Sequence, residues 1–204
     1  YYPKENETFQ ETIDREVSAT RNNAGILDAS TLGKIDIRGP DAARFLNLIY
    51  TNNWSNLQIG KCRYGLMLKD DGMVMDDGVT SKLDNDHFHM TTTTGGAANV
   101  LSWLEEWLQT EWPSLRVYLT SVTESWSVAS ISGPKAREIL KASNCTIDLS
   151  NDNFEFMSFK NGFINGIPVR IFRISFTGEL SFEINTPARY GLKLWETLMN
   201  AGKN

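Results

Sequence analysis

A phrase that occurs twice constrains the fold of this chain more than any other feature of its sequence. In the first copy, residues 34–38 alternate like a half-buried strand and run through Gly-Pro into a helix-like stretch at 41–49. In the second copy, residues 127–131 run through Gly-Pro into a helix-like stretch at 136–142, so that RGPDAARFL corresponds to SGPKAREIL. We favour a duplication of one strand-turn-helix unit, although two separate turns with the same local geometry would give similar sequences.

Turn-forming residue pairs and helical spacing predict the remaining elements of each copy. Strand-like stretches flank Asp71-Gly72 in the first copy and Asn165-Gly166 in the second, and such pairs are typical of β-hairpins. Between the copies, residues 97–111 have the apolar spacing of an amphipathic helix, whose tryptophans we interpret as core. The sequence therefore predicts an α+β fold, in which antiparallel sheets pack with helices in two similar halves.

Composition excludes several classes of function. Of the 204 residues, 41% are hydrophobic and 22% charged, which is ordinary for a globular protein. The net charge is -5 and the basic residues are scattered, so nucleic acid is not an expected partner. No apolar run is long enough to span a bilayer, and the two cysteines form no CxxC pair. We expect a cytoplasmic protein with reduced thiols and no membrane partner.

The densest polar feature is the Asp76-Asp77 pair, which lies inside a run that otherwise resembles a strand, where aspartate is disfavoured. Because side chains alternate along a strand, one of the pair can face solvent while the other points inward with Met75 and Val79. A buried carboxylate needs a partner or a chemical task. From the residues alone, a functional site and a structural role at a bulge or cap stay equally open.

Three further polar features are weaker. Glu183 lies between Phe182 and Ile184 in a predicted strand, which is also an unusual place for a charge. Residues 91–96 (TTTTGG) precede the long helix and could receive a flat ring or an anion, but simple helix capping by Thr93 or Thr94 is favoured. His87 and His89 share a strand face without a third ligand nearby, so we interpret them as surface residues and expect no metal site.

Several long phrases, in order along nearly the whole chain, resemble the folate-binding domain of sarcosine oxidase alpha subunits. The likeness extends more distantly to the glycine cleavage T-protein, or aminomethyltransferase, and to the folate regions of dimethylglycine and sarcosine dehydrogenases. The phrases are GILDASTLGKIDIRGPDA from Gly25, CRYGLML from Cys62, DGMVMDDGVT from Asp71, MTTTTGGAA from Met90 and FRISFTGEL from Phe172.

This resemblance implies roles for individual residues. The second aspartate of the family's Asp-Asp pair, which is the catalytic residue at the folate, corresponds to Asp77. The glutamate that binds the pterin in the family corresponds to Glu183. The motif's own glutamate is Glu179. The remaining folate contacts fall on Tyr64, Val79, Thr93, Phe156 and Phe176, where the T-protein has Asn at the position of Thr93 and Tyr at those of Phe156 and Phe176.

The resemblance also implies a reaction. A folate-dependent enzyme of this kind transfers the one-carbon unit of the imine formed from sarcosine to tetrahydrofolate, which gives 5,10-methylenetetrahydrofolate and glycine. Tetrahydrofolate is the implied cofactor, whereas flavins and NAD belong to the rest of the complex, and the other sarcosine oxidase subunits are the implied partners. The alternatives are a stand-alone aminomethyltransferase, which uses a lipoyl-carried aminomethyl group, and a non-catalytic folate-binding scaffold.

The domain organisation that follows is one T-protein-like region over 1–204, with repeated halves at 1–122 and 123–204. In the family the fold continues beyond the end of this chain with an Arg-bearing helix segment and a C-terminal barrel. We therefore expect these residues to be the N-terminal part of the folate-binding region, and to be inactive in isolation.

Overall fold

The computed structural model describes residues 2–203, which form two compact units. The middle unit comprises Ser30–Ser125 together with Met157–Phe159, and the terminal unit comprises the described residues up to Ala29, Trp126–Phe156 and the residues from Lys160 onwards. Each unit contains its own five-stranded sheet and its own hydrophobic core.

The described part of the chain contains five α-helices, ten strands and two short 3-10 helices, Thr123–Ser125 and Ala188–Tyr190. The helices are α1 (Phe9–Asn22), α2 (Ala42–Ile49), α3 (Ala97–Thr110), α4 (Ala136–Ala142) and α5 (Gly191–Ala201). The strands are β1 (Gly25–Asp28), β2 (Gly33–Arg38), β3 (Cys62–Leu68), β4 (Val74–Asp84), β5 (His87–Thr92), β6 (Tyr118–Ser121), β7 (Trp126–Ser132), β8 (Ser158–Ile164), β9 (Ile167–Arg173) and β10 (Ser181–Pro187).

The middle unit has an antiparallel sheet in the order β3-β4-β5-β2-β6. Ile35 and Ile37 of β2 point to the same face and are buried with Phe45 of α2 and Leu104 of α3. Trp103 and Trp107 are partly buried and pack against this core, which confirms the structural interpretation of the helix tryptophans.

The terminal unit has a sheet in the order β1-β7-β10-β9-β8. Ile131 of β7 and Ile184 of β10 are buried with Leu140 of α4 and Leu194 of α5. The two helices thus cover one face of this sheet, and the central strand is β10.

The two units repeat one order of elements. The middle unit runs β2-α2-β3-β4-β5-α3 along the chain, and the terminal unit runs β7-α4-β8-β9-β10-α5. Corresponding strands also occupy corresponding places in the two sheets. The prediction of an α+β fold with two similar halves is therefore confirmed, and the duplication as an evolutionary event stays a prediction.

The edge strands of the two sheets are exchanged between the repeats. β1 precedes β2 in sequence but pairs with β7, whereas β6 precedes β7 in sequence but pairs with β2. Residues up to Ala29 consequently belong to the terminal unit by contact. The division into repeated halves at 1–122 and 123–204 stays a prediction, and the compact units divide the chain at other residues.

A glycine ends the first strand of each repeat in the same unusual conformation. Gly39 has φ +128° and Gly133 has φ +129°, a region that favours glycine. A Cβ at Gly39 would lie 2.1 Å from the Arg116 carbonyl oxygen, and a Cβ at Gly133 would lie 2.5 Å from the Asn23 carbonyl oxygen. Only glycine admits this close approach, which explains the glycine at this position in both copies.

Among the residues described, none of the helices combines the length and the apolar composition that a bilayer span requires.

Candidate functional site

The β3–β4 hairpin brings Tyr64 and Asp77 together. Tyr64 pairs with Val79, and Leu66 pairs with Asp77, so that all four side chains share one face of the sheet. The Tyr64 hydroxyl donates a hydrogen bond of 2.6 Å to Oδ2 of Asp77. This hydrogen bond raises the pKa of Tyr64, because ionisation would remove the donor and set two negative charges side by side. The Asp77 carboxylate is half-buried, and Tyr64 is 49% exposed.

Asp76 lies on the opposite face of β4 and is only 4% exposed. Its Oδ1 accepts hydrogen bonds from the backbone N–H groups of Asp77 (2.7 Å) and Thr93 (3.1 Å), and its Oδ2 accepts one from the Thr93 hydroxyl (3.1 Å). The expectation that the inward member of the pair would share the face of Met75 and Val79 is therefore wrong. Asp76 is the buried aspartate, and these three donors satisfy its charge.

Thr93 links Asp76 to the start of α3. While its hydroxyl donates to Asp76, the same oxygen accepts a hydrogen bond of 3.1 Å from the Gly96 N–H in the turn before the helix. Gly96 is the N-cap of α3 and no side chain of the described residues caps this helix, so the expectation that Thr93 or Thr94 caps it is wrong. A Cβ at Gly96 would lie 1.8 Å from Oδ2 of Asp76. Residues 91–96 thus form a tight turn around the buried carboxylate of Asp76. This turn supports β4 on the face opposite to Asp77.

The backbone of Val79 is fixed by two hydrogen bonds to the side chain of Thr91. The Thr91 hydroxyl accepts from the Val79 N–H and donates to the Val79 carbonyl, both at 3.0 Å. Tyr64, Asp77 and Val79 are thus neighbours on one hairpin. Thr93 is connected to this hairpin by its hydrogen bonds to Asp76.

The other predicted contacts lie in the terminal unit. Glu183 is half-buried on the central strand β10, where it pairs with Ser130 of β7 and Phe172 of β9. Phe176 is 93% exposed in the segment between β9 and β10, and Phe156 is 59% exposed before β8. Glu179 forms an ion pair of 2.6 Å with Arg21 of α1, so the motif's own glutamate has a structural partner.

A cluster that the sequence did not predict joins β2 to β5. His87 Nε2 and His89 Nδ1 each lie 2.9 Å from a different carboxylate oxygen of Asp36. Burial raises the pKa of Asp36, but the hydrogen bonds and charges of His89 and His87 outweigh it and lower the pKa to about 2. His89 is 1% exposed, so its interpretation as a surface residue is wrong: β5 is the middle strand of its sheet.

Among the described residues, no group of three or more His, Cys, Asp and Glu side chains is arranged to hold a metal ion.

Comparison with known proteins places these features in a family. The sequence profile of the GCVT N-terminal domain matches residues 1–204. The chain belongs to this family.

Two relatives and one solved structure show the nearer likenesses. The sarcosine oxidase subunit alpha of Corynebacterium sp. (strain U-96) is 54% identical over 204 residues, which cover 100% of this chain and 21% of the relative. The aminomethyltransferase of Oceanobacillus iheyensis is 32% identical over 195 residues, covering 94% of this chain and 51% of the relative. The crystal structure of the glycine cleavage system aminomethyltransferase T from Bartonella henselae superimposes with a TM-score of 0.78 at 25% identity, covering 91% of this chain and 48% of that chain.

These matches confirm the resemblance to sarcosine oxidase alpha subunits and the T-protein-like fold. The chain spans about a fifth of the length of the first relative and about half of the second. The roles of Tyr64, Asp77, Val79, Thr93, Phe156, Phe176 and Glu183 stay predictions.

Proposed function

We propose that this chain is the tetrahydrofolate-binding part of a sarcosine oxidase alpha subunit, and that it transfers the one-carbon unit of the sarcosine-derived imine to tetrahydrofolate, with 5,10-methylenetetrahydrofolate and glycine as products. The observation that carries the proposal is the Tyr64–Asp77 pair, a half-buried carboxylate oriented on a strand face in a GCVT N-terminal domain. The 54% identity to a sarcosine oxidase alpha subunit favours this source of the one-carbon unit over a lipoyl-carried aminomethyl group.

The residues present fit a reduced pterin. Its ring N–H and exocyclic amine form two adjacent donors, and one carboxylate can accept both. Glu183 offers such a carboxylate, half-buried on the central strand β10 beside Phe172. Phe156 and Phe176 present exposed rings that can pack against the face of a pterin ring.

The carboxylate of Asp77 is suited to stabilise a positive charge and to accept or relay a proton. Within the described residues, the side-chain hydrogen bond that Asp77 accepts comes from Tyr64 and uses Oδ2, so Oδ1 remains for a ligand. The Tyr64 hydroxyl orients the carboxylate, and the backbone hydrogen bonds of Val79 hold the strand beneath it. Tetrahydrofolate, when bound, supplies the nitrogen atoms that accept the one-carbon unit. Asp77 then stabilises the adjacent positive charge and accepts or relays a proton.

Asp77→Asn in the full-length protein tests the catalytic role. We expect sarcosine oxidation to stay nearly intact while the one-carbon unit is released as formaldehyde, because the amide neither carries the charge nor accepts the proton. The two products can be measured in one assay with tetrahydrofolate present. Asp70→Asn, in the exposed hairpin turn, is the matched control. An unchanged yield of methylenetetrahydrofolate in Asp77→Asn would reject the role.

Glu183→Gln tests the binding role. The amide retains the shape of the side chain but replaces one acceptor by a donor, so we expect tetrahydrofolate to bind about tenfold or more weakly. Isothermal titration calorimetry with 5-formyltetrahydrofolate, a stable reduced folate, measures the change. Equal affinities of the two proteins would remove Glu183 from the site.

The remainder of the proposal concerns the whole protein. Oxidation of sarcosine, with its flavins and NAD, would take place outside these residues, and the other subunits of the oxidase would be the partners. A stand-alone aminomethyltransferase would instead form methylenetetrahydrofolate from a lipoyl-bound aminomethyl group in the absence of sarcosine. Supplying each one-carbon source separately distinguishes the two.

A further inference from the structure

Two arginines of the terminal unit converge on one neutral oxygen atom. Arg137 lies in the first turn of α4, and Arg173 is the last residue of β9. Nη2 of Arg137 donates a hydrogen bond of 2.6 Å to Oδ1 of Asn151, and Nη2 of Arg173 donates one of 2.9 Å to the same oxygen. Arg173 also donates through Nη1 to the backbone carbonyl of Phe154. One amide oxygen therefore receives hydrogen bonds from two positive charges.

This pair lacks a negative charge. Within residues 2–203, neither guanidinium forms an ion pair with a carboxylate, and the Nε–H groups of Arg137 and Arg173 are both buried without a hydrogen-bond acceptor. Burial lowers the pKa of Arg173, and the charge of Arg137 lowers it further. Asp148, in the same loop region, already accepts from the Ser150 N–H and the Asn153 side chain. The arrangement is thus an uncompensated pair of like charges, which is costly at a partly buried site.

We propose that Arg137 and Arg173 form a binding site for an oxyanion, either a carboxylate or a phosphate. Arginine is suited to this task because its planar N–H groups match two oxygens of one anion. The Asn151 side chain lies in an exposed loop and gives way to, or shares the guanidinium groups with, the anion. The proposal does not depend on the proposed folate chemistry.

Thermal unfolding of the full-length protein tests the site directly, with inorganic phosphate and acetate compared against chloride at equal ionic strength. Equal ionic strength matters because screening alone would also relieve the repulsion between the arginines. We expect phosphate, acetate or both to raise Tm in a saturable manner, and the stronger of the two identifies the chemical class. No effect beyond that of chloride for either anion would overturn the proposal.

Arg137→Gln should abolish the specific effect, or raise the half-saturating anion concentration about tenfold or more, since one of two charged donors is lost. Arg137 is the better target because Arg173 also supports the backbone at Phe154. An anion response in Arg137→Gln equal to that of the unsubstituted protein would contradict the assignment.

Asn151→Asp supplies the missing charge from within the chain. We expect this variant to be more stable than the unsubstituted protein and to lose its response to phosphate and acetate, because its own carboxylate holds both guanidinium groups. Asn200→Asp is the matched control: it makes the same charge change on α5, where the new carboxylate can still accept the hydrogen bond from Lys203, and it should retain the anion response. If the arginines only hold the loop, Asn151→Asp will still be stabilised, but no variant will respond to the anions, and the proposal fails.

Discussion

The Tyr64 hydroxyl donates a hydrogen bond of 2.6 Å to the carboxylate of Asp77, across two neighbouring strands of a hairpin. The pairing orients the carboxylate to which we assign the chemistry, and it changes the acidity of the phenol. The bond can therefore be followed by spectroscopy in the absence of any ligand.

Asp77→Asn should lower the pKa of Tyr64 towards its ordinary value. In the present structure the hydrogen bond to a negative carboxylate raises this pKa, and the neutral amide removes most of that effect. A pH titration of the tyrosine ring carbons by NMR measures the shift, and Tyr64→Phe identifies the Tyr64 signal. An unchanged titration in Asp77→Asn would show that the two groups do not interact in solution.

Asp76→Ala should destabilise the protein by about 3 kcal/mol, because the donors on Asp77 and Thr93 lose the buried carboxylate that accepts their three hydrogen bonds. Urea unfolding gives the free energy of unfolding. Asp70→Ala removes the same charge from an exposed position and should change it by no more than about 0.5 kcal/mol. Equal effects of the two substitutions would count against the buried role of Asp76.

Gly96→Ala and Gly95→Ala form a matched pair in one turn. A methyl group at Gly96 would lie 1.8 Å from Oδ2 of Asp76, whereas a methyl group at Gly95 meets no atom within 4 Å. We expect Gly96→Ala to destabilise the protein by about 2 kcal/mol or more and Gly95→Ala to have an effect within about 0.5 kcal/mol. Thermal unfolding of both variants checks the difference, and a smaller loss at Gly96 than at Gly95 would refute it.

Acid should remove a contribution to stability that depends on Asp36. Its pKa is lowered from 3.8 to about 2 in the folded protein, so the carboxylate favours folding above pH 3.8, and this contribution is lost as the pH falls towards 2. Comparing the free energy of unfolding of the unsubstituted protein with that of Asp36→Asn between pH 2 and pH 6 measures it. The difference between the two proteins should shrink as the pH falls through this window, and a constant difference would contradict the assignment.

The local parts of the fold could be predicted because their causes are local. The Gly-Pro turns follow from the positive φ of Gly39 and Gly133, and Asn165-Gly166 forms the predicted hairpin turn with positive φ at both residues. What failed depends on contacts between distant residues. Alternation along β4 separates Asp76 from Asp77 but does not say which face is buried, and Asp76 is satisfied by Thr93, which lies well beyond it in sequence.

The histidine interpretation failed for a similar reason. Whether His89 is exposed depends on the place of β5 within its sheet, which only the pairing with β2 and β4 determines. Register would have revealed the Asp36 cluster, since Asp36 pairs directly with His89. The predicted site residues were grouped by resemblance, and the structure adds the hydrogen bond between Tyr64 and Asp77 that motif matching could not supply.

The exchanged edge strands bear on how the polypeptide folds as it leaves the ribosome. β1 emerges early and must wait for β7, about a hundred residues later, whereas β2 waits for β6. The sheet of the middle unit comes from one continuous stretch of nascent chain between β2 and β6, but the sheet of the terminal unit needs β1 from one side of that stretch and β7 to β10 from the other. A gene divided between α3 and β6 would yield two products that each carry the other's missing edge strand, β1 in the first product and β6 in the second, and we expect such products to fold only when they are made together.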